Sequence, residues 1–285
     1  MPQIHPTATV IGDCTLADDV QIGPYCSIRG PVTLEAGVRL LGHVYVQGPA
    51  TIGAGTVVYP FACLGFEPQD YKFKPGAPTA GIVIGRDCLI RESATVHAST
   101  KPDRPTRVGD RVFMMVNTHV AHDCLIGSGV VMVNGSGVAG HAELGDNVTL
   151  GGNAVIHQFC RVGRLVMMSG DCAVSLDVPP FCMVNERNRL GGLNLVGMRR
   201  NGVPRDQITE LRKAFRDVLR RPMPRSRMVR MLEKRGASCP VIAEVAEFVK
   251  SSKRGVAPGF GKPPREVMTW LQRQGRHDAV EQPAG

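Results

Sequence analysis

Four histidines near the middle of the chain recur at intervals that could bring their imidazole rings together. His122, His141 and His157 lie within one residue of three positions spaced eighteen apart, and His119 precedes His122 by three residues. A chain that coils once every eighteen residues would stack such positions along one edge. Imidazoles gathered in this way can bind zinc or transfer protons near neutral pH; separate surface histidines are the alternative.

The residues beside these histidines favour proton transfer. Asp123 adjoins His122 in the segment HVAHD, and a carboxylate next to an imidazole can hold its tautomer and stabilise the imidazolium of a general base. Gly140, just before His141, could offer its backbone N–H to a developing oxyanion. No serine or cysteine nucleophile is indicated, so direct attack by a substrate hydroxyl is favoured over a covalent intermediate.

Aliphatic residues recur every six positions through two thirds of the chain. The series runs from Ile4 to Leu64, resumes two residues out of phase at Ile84, and continues past Pro102 to Val174. Small residues precede many of them by two positions, and glycine often follows. Because side chains two apart share one face of a strand, both point inward, and glycine permits a tight corner. Three sides make a coil of eighteen residues, which predicts a mainly β fold, a parallel β-solenoid.

The cysteines fit the same pattern. Six of them occupy the small inward position and are predicted to be buried hydrophobic side chains: Cys14, Cys26, Cys88, Cys124, Cys160 and Cys172. The chain has nine cysteines and no C-x-x-C pair, so neither a disulfide framework nor a zinc knuckle is expected. The absence of a signal sequence and of a long apolar run predicts a cytoplasmic protein without a membrane span.

Two segments interrupt the period, and the last third of the chain changes pattern. Residues 65–83 and 98–107 contain prolines and charges and are predicted loops; the first is a candidate functional element, the second a tolerated insertion. Helical spacing is predicted over 208–219, 225–235, 241–255 and 264–274. The predicted organisation is a solenoid domain over 1–185 that carries loop 65–83, a helical C-terminal domain over 186–255, and a tail over 256–285 without an assigned role.

Positive charge is concentrated after the solenoid. Residues 186–285 contain 22 Lys and Arg against 10 Asp and Glu, although the whole chain has a formal charge of +9. The rest of the chain is close to neutral. This uneven distribution indicates an anionic partner for the C-terminal third.

Five segments form a specific set: QDYKF at 69–73, NTHVAHDCLIG at 117–127, GVAGH at 137–141, AVIHQF at 154–159 and GLNLVGMRR at 192–200. This set resembles the UDP-N-acetylglucosamine O-acyltransferases, which catalyse the first step of lipid A synthesis. The resemblance covers roughly residues 1–255 and is more specific than the six-residue period. It implies a left-handed parallel β-helix of hexapeptide repeats followed by a small α-helical C-terminal domain, and a homotrimer with active sites between subunits.

The resemblance also implies roles for individual residues. His122 would take the proton from the sugar 3-hydroxyl as that hydroxyl attacks the thioester of a 3-hydroxyacyl chain on acyl carrier protein. Asp123 would orient His122, and the Gly140 N–H would bind the oxyanion. The substrate-binding residues would be Asp70, Lys72, His119, His141, His157, Gln158, Asn194 and Arg200. The partners would be acyl carrier protein and UDP-N-acetylglucosamine, without nucleic acid, without a metal, and without a cofactor beyond the phosphopantetheine of the donor.

The sequence departs from the family pattern at two positions, and four alternative functions remain open. A glutamate and a second arginine found near the last motif in some family members are here Val196 and Asn201, which leaves acyl-hydroxyl and phosphate recognition open. The related N-acyltransferase of lipid A synthesis shares the solenoid and the donor. A coenzyme A-dependent acetyltransferase, a trimeric zinc carbonic anhydrase and a non-catalytic scaffold could also use this solenoid.

Overall fold

The six-residue period folds into short strands separated by corners. In the computed structural model, which describes residues 1–259, these strands are β1 (Gln3–Ile4), β2 (Thr9–Ile11), β3 (Cys14–Leu16), β4 (Gln21–Ile22), β5 (Ser27–Arg29), β6 (Val32–Leu34), β7 (Arg39–Leu40), β8 (Tyr45–Gln47), β9 (Ala50–Ile52), β10 (Val57–Val58), β11 (Cys63–Phe66), β12 (Ile82–Ile84), β13 (Leu89–Ile90) and β14 (Thr95–His97). After the second loop follow β15 (Thr106–Val108), β16 (Phe113–Met114), β17 (His119–Val120), β18 (Leu125–Ile126), β19 (Val131–Met132), β20 (Gly137–Val138), β21 (Glu143–Leu144), β22 (Thr149–Leu150), β23 (Val155–Ile156), β24 (Arg161–Val162), β25 (Met167–Met168) and β26 (Ala173–Val174).

Every third strand joins the same parallel sheet. In the first of two compact units, residues 1–159 with 168–173, the three sheets run β1-β4-β7-β10-β13-β16-β19-β22, β2-β5-β8-β11-β14-β17-β20-β23 and β3-β6-β9-β12-β15-β18-β21. Residues eighteen apart are paired, such as Val120 with Val138. The two predicted loops leave the solenoid between β11 and β12 and between β14 and β15. The predicted β-solenoid is confirmed.

From Val20 onward the inward positions form the core as the period predicts, whereas in the first coil, at the open end of the solenoid, Ile4 is 43 % exposed and Cys14 is only half-buried. The aliphatic residues Leu40, Ile90 and Leu150 are at most 1 % exposed, and Cys88 and Cys124 in the small position are fully buried. Burial raises the pKa of the Cys124 thiol to about 12, so this thiol stays protonated at neutral pH. A buried neutral thiol is a poor nucleophile, so Cys124 is unsuited to attack a substrate.

The corners place particular residues in the left-handed backbone region. One corner has Asp123, His141 and Phe159 at φ near +60°, one residue in each of three successive coils. Aspartate and histidine are among the residues that tolerate this conformation best after glycine and asparagine. The side chains at this position therefore lie above one another along the edge of the solenoid.

Within the described residues, the second compact unit comprises 160–167 and 174–259. Here β27 (Cys182–Glu186) and β28 (Arg189–Leu193) form an antiparallel hairpin. The helices are α1 (Leu195–Arg200), α2 (Arg205–Ala214) with a π-helical continuation over Phe215–Leu219, α3 (Arg225–Gly236) and α4 (Pro240–Ser251).

Three of the predicted helices are confirmed. The last of them, α4, was predicted to end at Gly255 but ends at Ser251, since the backbone of Ser252 is already extended. The hairpin and α1 were not predicted. The predicted helix over 264–274 and the tail beyond residue 259 lie outside the described residues. Among the described helices, none combines the length and the apolar character that crossing a membrane requires.

Candidate active site

His122 and Asp123 occupy the corner between β17 and β18. His122 lies two residues after the inward Val120, a spacing that would point it inward on a flat strand. The left-handed backbone of Asp123, at φ +61°, ends the strand there instead. His122 therefore lies at a corner of the coil. His122 is only 8 % exposed and Asp123 only 1 %, so the pair is sheltered from solvent by this one chain.

The two side chains form a hydrogen-bonded pair. The distance between His122 Nδ1 and Asp123 Oδ2 is 2.8 Å. Burial of Asp123 opposes its ionisation and is the largest single influence, but hydrogen bonds from His122, Ser99 and Thr100 together hold the pKa of its carboxyl well below its usual range. Asp123 is therefore a carboxylate at neutral pH, as the orienting member of a general-base pair must be.

Loop 98–107 supplies the other partners of Asp123. Ser99 Oγ donates to Oδ1 at 2.5 Å and Thr100 Oγ1 donates to Oδ2 at 2.7 Å. Thr106 Oγ1 accepts a hydrogen bond from the Asp123 backbone N–H at 2.8 Å. The expectation that this loop is only a tolerated insertion is therefore wrong. The sequence signal for this role of the loop was the pair of hydroxyl residues Ser99-Thr100 at the point where the six-residue period is interrupted.

His141 lies one coil beyond the pair and completes a column of rings. The His122 and His141 ring centroids are 5.0 Å apart at 86°, and the ring of Phe159 stacks on His141 at 4.5 Å. Burial lowers the pKa of His141, which favours its neutral form.

His157, which was expected in this column, is exposed and its ring faces the Gln158 carbonyl oxygen at 3.2 Å. A coil of eighteen residues stacks Phe159 on His141 and leaves His157 before the corner. Gln158 is likewise exposed.

His119 lies on β17, just before the corner. Its Nδ1 is 2.8 Å from Thr95 Oγ1, and its ring centroid lies 5.3 Å from that of His97. Burial, together with the neighbouring His97 and His122, lowers the pKa of His119 to about 4. Sequence reasoning missed His97, because loop 98–107 lengthens this coil and moves His97 out of the eighteen-residue spacing.

Gly140 is required by the position of the His122 ring. A Cβ atom on Gly140 would lie 2.6 Å from His122 Cε1 and 2.7 Å from its Nε2, far inside normal contact. The backbone φ of Gly140 is not positive, so the need for glycine comes from this close approach. Within residues 1–259 the Gly140 N–H donates no hydrogen bond, which leaves it available to a ligand beside His122.

The predicted residues of loop 65–83 form a turn next to loop 98–107. Asp70 Oδ1 accepts a hydrogen bond from the Lys72 backbone N–H at 2.9 Å, and the Lys72 side chain is exposed. A cavity of about 370 Å³ is lined by Asp70, Lys72, Phe73, Lys74, Ala77, Thr100 and Lys101. Since Thr100 also contacts Asp123, this polar cavity adjoins the residues that hold the pair.

The remaining predicted residues belong to the second compact unit. Asn194 caps α1: its Oδ1 accepts from the Gly197 N–H at 2.9 Å, and its Nδ2 donates to the Leu165 carbonyl at 2.9 Å. Arg200, at the end of the same helix, is exposed. Their roles toward a ligand stay predictions.

Three side chains could supply metal ligands: potential ligand atoms of His122, Asp123 and His141 all lie within 4.8 Å of one another. Two nitrogen or oxygen ligands of a tetrahedral zinc ion are separated by roughly 3.3 Å, given bonds of about 2.0 Å. The 2.8 Å between His122 Nδ1 and Asp123 Oδ2 is a hydrogen-bond distance instead. These two atoms are therefore placed as hydrogen-bond partners and not as two ligands of one zinc ion.

Comparisons with known proteins agree on one family. The family model described as UDP N-acetylglucosamine O-acyltransferase, domain 2, matches residues 177–257. The acyl-acyl-carrier-protein–UDP-N-acetylglucosamine O-acyltransferase of Campylobacter concisus (strain 13826) is 36 % identical over 265 residues, covering 92 % of this chain and 100 % of that protein. The enzyme of the same name from Thiobacillus denitrificans (strain ATCC 25259 / T1) is 42 % identical over 258 residues, covering 90 % and 99 %.

Solved structures give the same result. The UDP-N-acetylglucosamine O-acyltransferase of Moraxella catarrhalis RH4 superposes with a TM-score of 0.84 at 37 % identity, covering 89 % of this chain and 99 % of that one. The UDP-N-acetylglucosamine acyltransferase of Francisella novicida gives a TM-score of 0.86 at 31 % identity, with 91 % and 95 % covered. The similarity thus extends over both the solenoid and the helical part of the chain.

Proposed function

The chain belongs to the UDP-N-acetylglucosamine O-acyltransferase family, and on that premise we propose the chemistry of its active site. It transfers a 3-hydroxyacyl chain from acyl carrier protein to the 3-hydroxyl of UDP-N-acetylglucosamine, the first step of lipid A synthesis, with His122 as general base. The observation that carries this proposal is the sheltered His122–Asp123 pair lying directly against Gly140.

In the proposed mechanism each proton transfer has a direction that the geometry of the pair supports. Because His122 Nδ1 is hydrogen-bonded to Asp123 Oδ2, its Nε2 is left to accept the proton of the sugar hydroxyl. The hydroxyl oxygen then forms a bond to the thioester carbon, and the Asp123 carboxylate stabilises the imidazolium. The thioester oxygen becomes an oxyanion that the Gly140 N–H can bind. As the carbon–sulfur bond breaks, Nε2 returns the proton to the phosphopantetheine thiolate.

The other predicted residues bind substrates in this proposal. Asp70 and Lys72 border a polar cavity beside loop 98–107, and exposed His157 and Gln158 follow the same edge of the solenoid. His119 and His141 are largely neutral, because burial lowers the pKa of both rings, so they donate and accept hydrogen bonds without competing as bases. Asn194 and Arg200 bind the acyl hydroxyl and the nucleotide phosphates.

Acyl carrier protein is the proposed anionic partner of the basic C-terminal third. The described helices α2 and α3 carry many exposed arginines, and opposite charge accelerates encounter with an acidic protein. From its membership of the family we infer that the protein is a cytoplasmic homotrimer. The reaction needs no cofactor of the chain's own, because the phosphopantetheine arrives with the donor.

Product analysis tests the reaction directly. The enzyme is incubated with UDP-N-acetylglucosamine and a panel of 3-hydroxyacyl carrier proteins, and the nucleotide sugar is analysed by mass spectrometry. We expect one 3-hydroxyacyl group per sugar, attached as an ester that mild base removes. A parallel incubation offers an amino-sugar nucleotide as acceptor, and an amide that resists mild base, formed there while UDP-N-acetylglucosamine stays unmodified, would favour the N-acyltransferase. No transfer from any carrier protein would overturn the proposal.

A further inference from the structure

The carboxylate of Asp123 accepts several hydrogen bonds from one short segment, Ser99-Thr100. Ser99 Oγ donates to Oδ1 at 2.5 Å and Thr100 Oγ1 to Oδ2 at 2.7 Å. The Thr100 backbone N–H lies 3.2 Å from Oδ1 and 3.3 Å from Oδ2. With His122 on Oδ2, both oxygens are held, so a rotation of the carboxylate plane would break hydrogen bonds on both sides.

The Ser99 hydroxyl is committed to this contact. Ser99 is fully buried, and its Oγ accepts a hydrogen bond from the Lys101 backbone N–H at 2.9 Å. A hydroxyl has a single proton to donate, and here that proton goes to Asp123 Oδ1. The contact is also charge-assisted, because the acceptor is a carboxylate.

We propose that Ser99 and Thr100 are positioning residues for the general base: they lock the Asp123 carboxylate so that Oδ2 faces His122 Nδ1 and Nε2 faces the substrate. This inference rests on the proposed function of the His122–Asp123 pair. An unlocked carboxylate could turn away from Nδ1 or accept water, and His122 would then sample the other tautomer. A misoriented base loses turnover without losing substrate binding.

Apart from the Lys101 N–H bond to Ser99 Oγ, the backbone of the loop has anchors that do not involve the two hydroxyls. The Ser99 N–H donates to the Gly81 carbonyl at 3.2 Å, and the Ser99 carbonyl accepts from Thr79 Oγ1 at 2.5 Å. The Ala80 N–H donates to the Lys101 carbonyl at 2.7 Å. These contacts stay when a hydroxyl is removed, so the variants below are expected to keep the loop in place.

Turnover of matched variants tests the proposal. Ser99→Ala and Thr100→Val should each lower kcat about 10-fold, the order of one charge-assisted hydrogen bond, while KM for UDP-N-acetylglucosamine is unchanged. Ser99→Thr and Thr100→Ser keep the hydroxyl and should restore most of the turnover. Ser128→Ala, which removes a corner hydroxyl that accepts from the Asp110 N–H, is the control and should behave as wild type.

A double-mutant cycle separates positioning from loop stability. If Ser99 acts through Asp123, then Ser99→Ala should lower kcat in the wild type but not in the Asp123→Ala background. Equal losses in both backgrounds, or full turnover of both hydroxyl-deleted variants, would overturn the inference. Wild-type turnover of Asp123→Ala itself would instead refute the proposed function of the pair.

Discussion

Adding a single methyl group at Gly140 should displace the general base while sparing the oxyanion donor. In Gly140→Ala the new Cβ would lie 2.6 Å from His122 Cε1, whereas carbon atoms in contact are about 3.5 Å apart. The imidazole must therefore move by roughly 1 Å, and a misplacement of that size costs about 100-fold in rate. The backbone of the variant would still carry an N–H at this position, so the loss would report the position of His122.

The assay is steady-state acyl transfer with melting temperature as the structural check. Gly140→Ala should lower kcat far more than it raises KM, and strain in a packed corner should lower the melting temperature slightly. Gly152→Ala is the matched control, since its Cβ would meet Asn134 O at 3.7 Å, an ordinary contact. Wild-type turnover of Gly140→Ala would show that the ring position against Gly140 has no bearing on catalysis.

Three further predictions concern the core, the pH dependence and the acyl chain. Leu150→Asp places an unpaired charge in a fully buried position and should cost several kcal/mol of folding stability. Thr149→Asp, on the outer face of the same strand, should not. Equal melting temperatures of the two variants would refute the assignment of Leu150 to the inner face. Burial and neighbouring histidines lower the pKa of His119 to about 4, so the unfolded chain binds the proton first as the pH falls below about 6.5. Denaturant unfolding should thus show stability declining toward pH 4 by at most about 3 kcal/mol, and His119→Asn should flatten the decline; an unchanged slope would contradict the pKa assignment. The resemblance to the family implies that a residue near Ala173 closes the end of the acyl pocket, and Ala173 lies three coils from His119, roughly 14 Å along the solenoid at about 4.8 Å per coil. Ala173→Met should therefore shift the preferred acyl chain to a shorter one, as measured by product mass spectrometry. An unchanged product profile would assign that limit to another residue, such as the exposed Met167.

The sequence predicted the parts of the site that follow from the repeat. The eighteen-residue coil requires that Asp123 and His141 share a corner, and the adjacent His122 then follows directly. The same period places Phe159 in that column. Phenylalanine has no acid–base chemistry, so residue type alone points to the nearby His157 and gives no signal for Phe159.

The parts that could not be predicted lie where the period stops. Ser99 and Thr100 belong to a loop whose backbone follows no repeat, so their contacts with Asp123 depend on tertiary packing. The hairpin of β27 and β28 contains a Gly-Gly pair and few alternating residues, so neither strand nor helix spacing marks it. Helix α1 has only six residues, which is too short for a helical hydrophobic pattern to emerge.

The rate of acyl transfer by His122→Ala tests the central claim most directly. The wild-type and variant enzymes are compared in single turnover with UDP-N-acetylglucosamine and a 3-hydroxyacyl carrier protein, while melting temperature and nucleotide-sugar binding monitor the fold and the acceptor site. Loss of a general base should slow the reaction by roughly 10²–10⁴-fold, with both controls nearly unchanged. Transfer at close to the wild-type rate would contradict the assignment of His122 as the base.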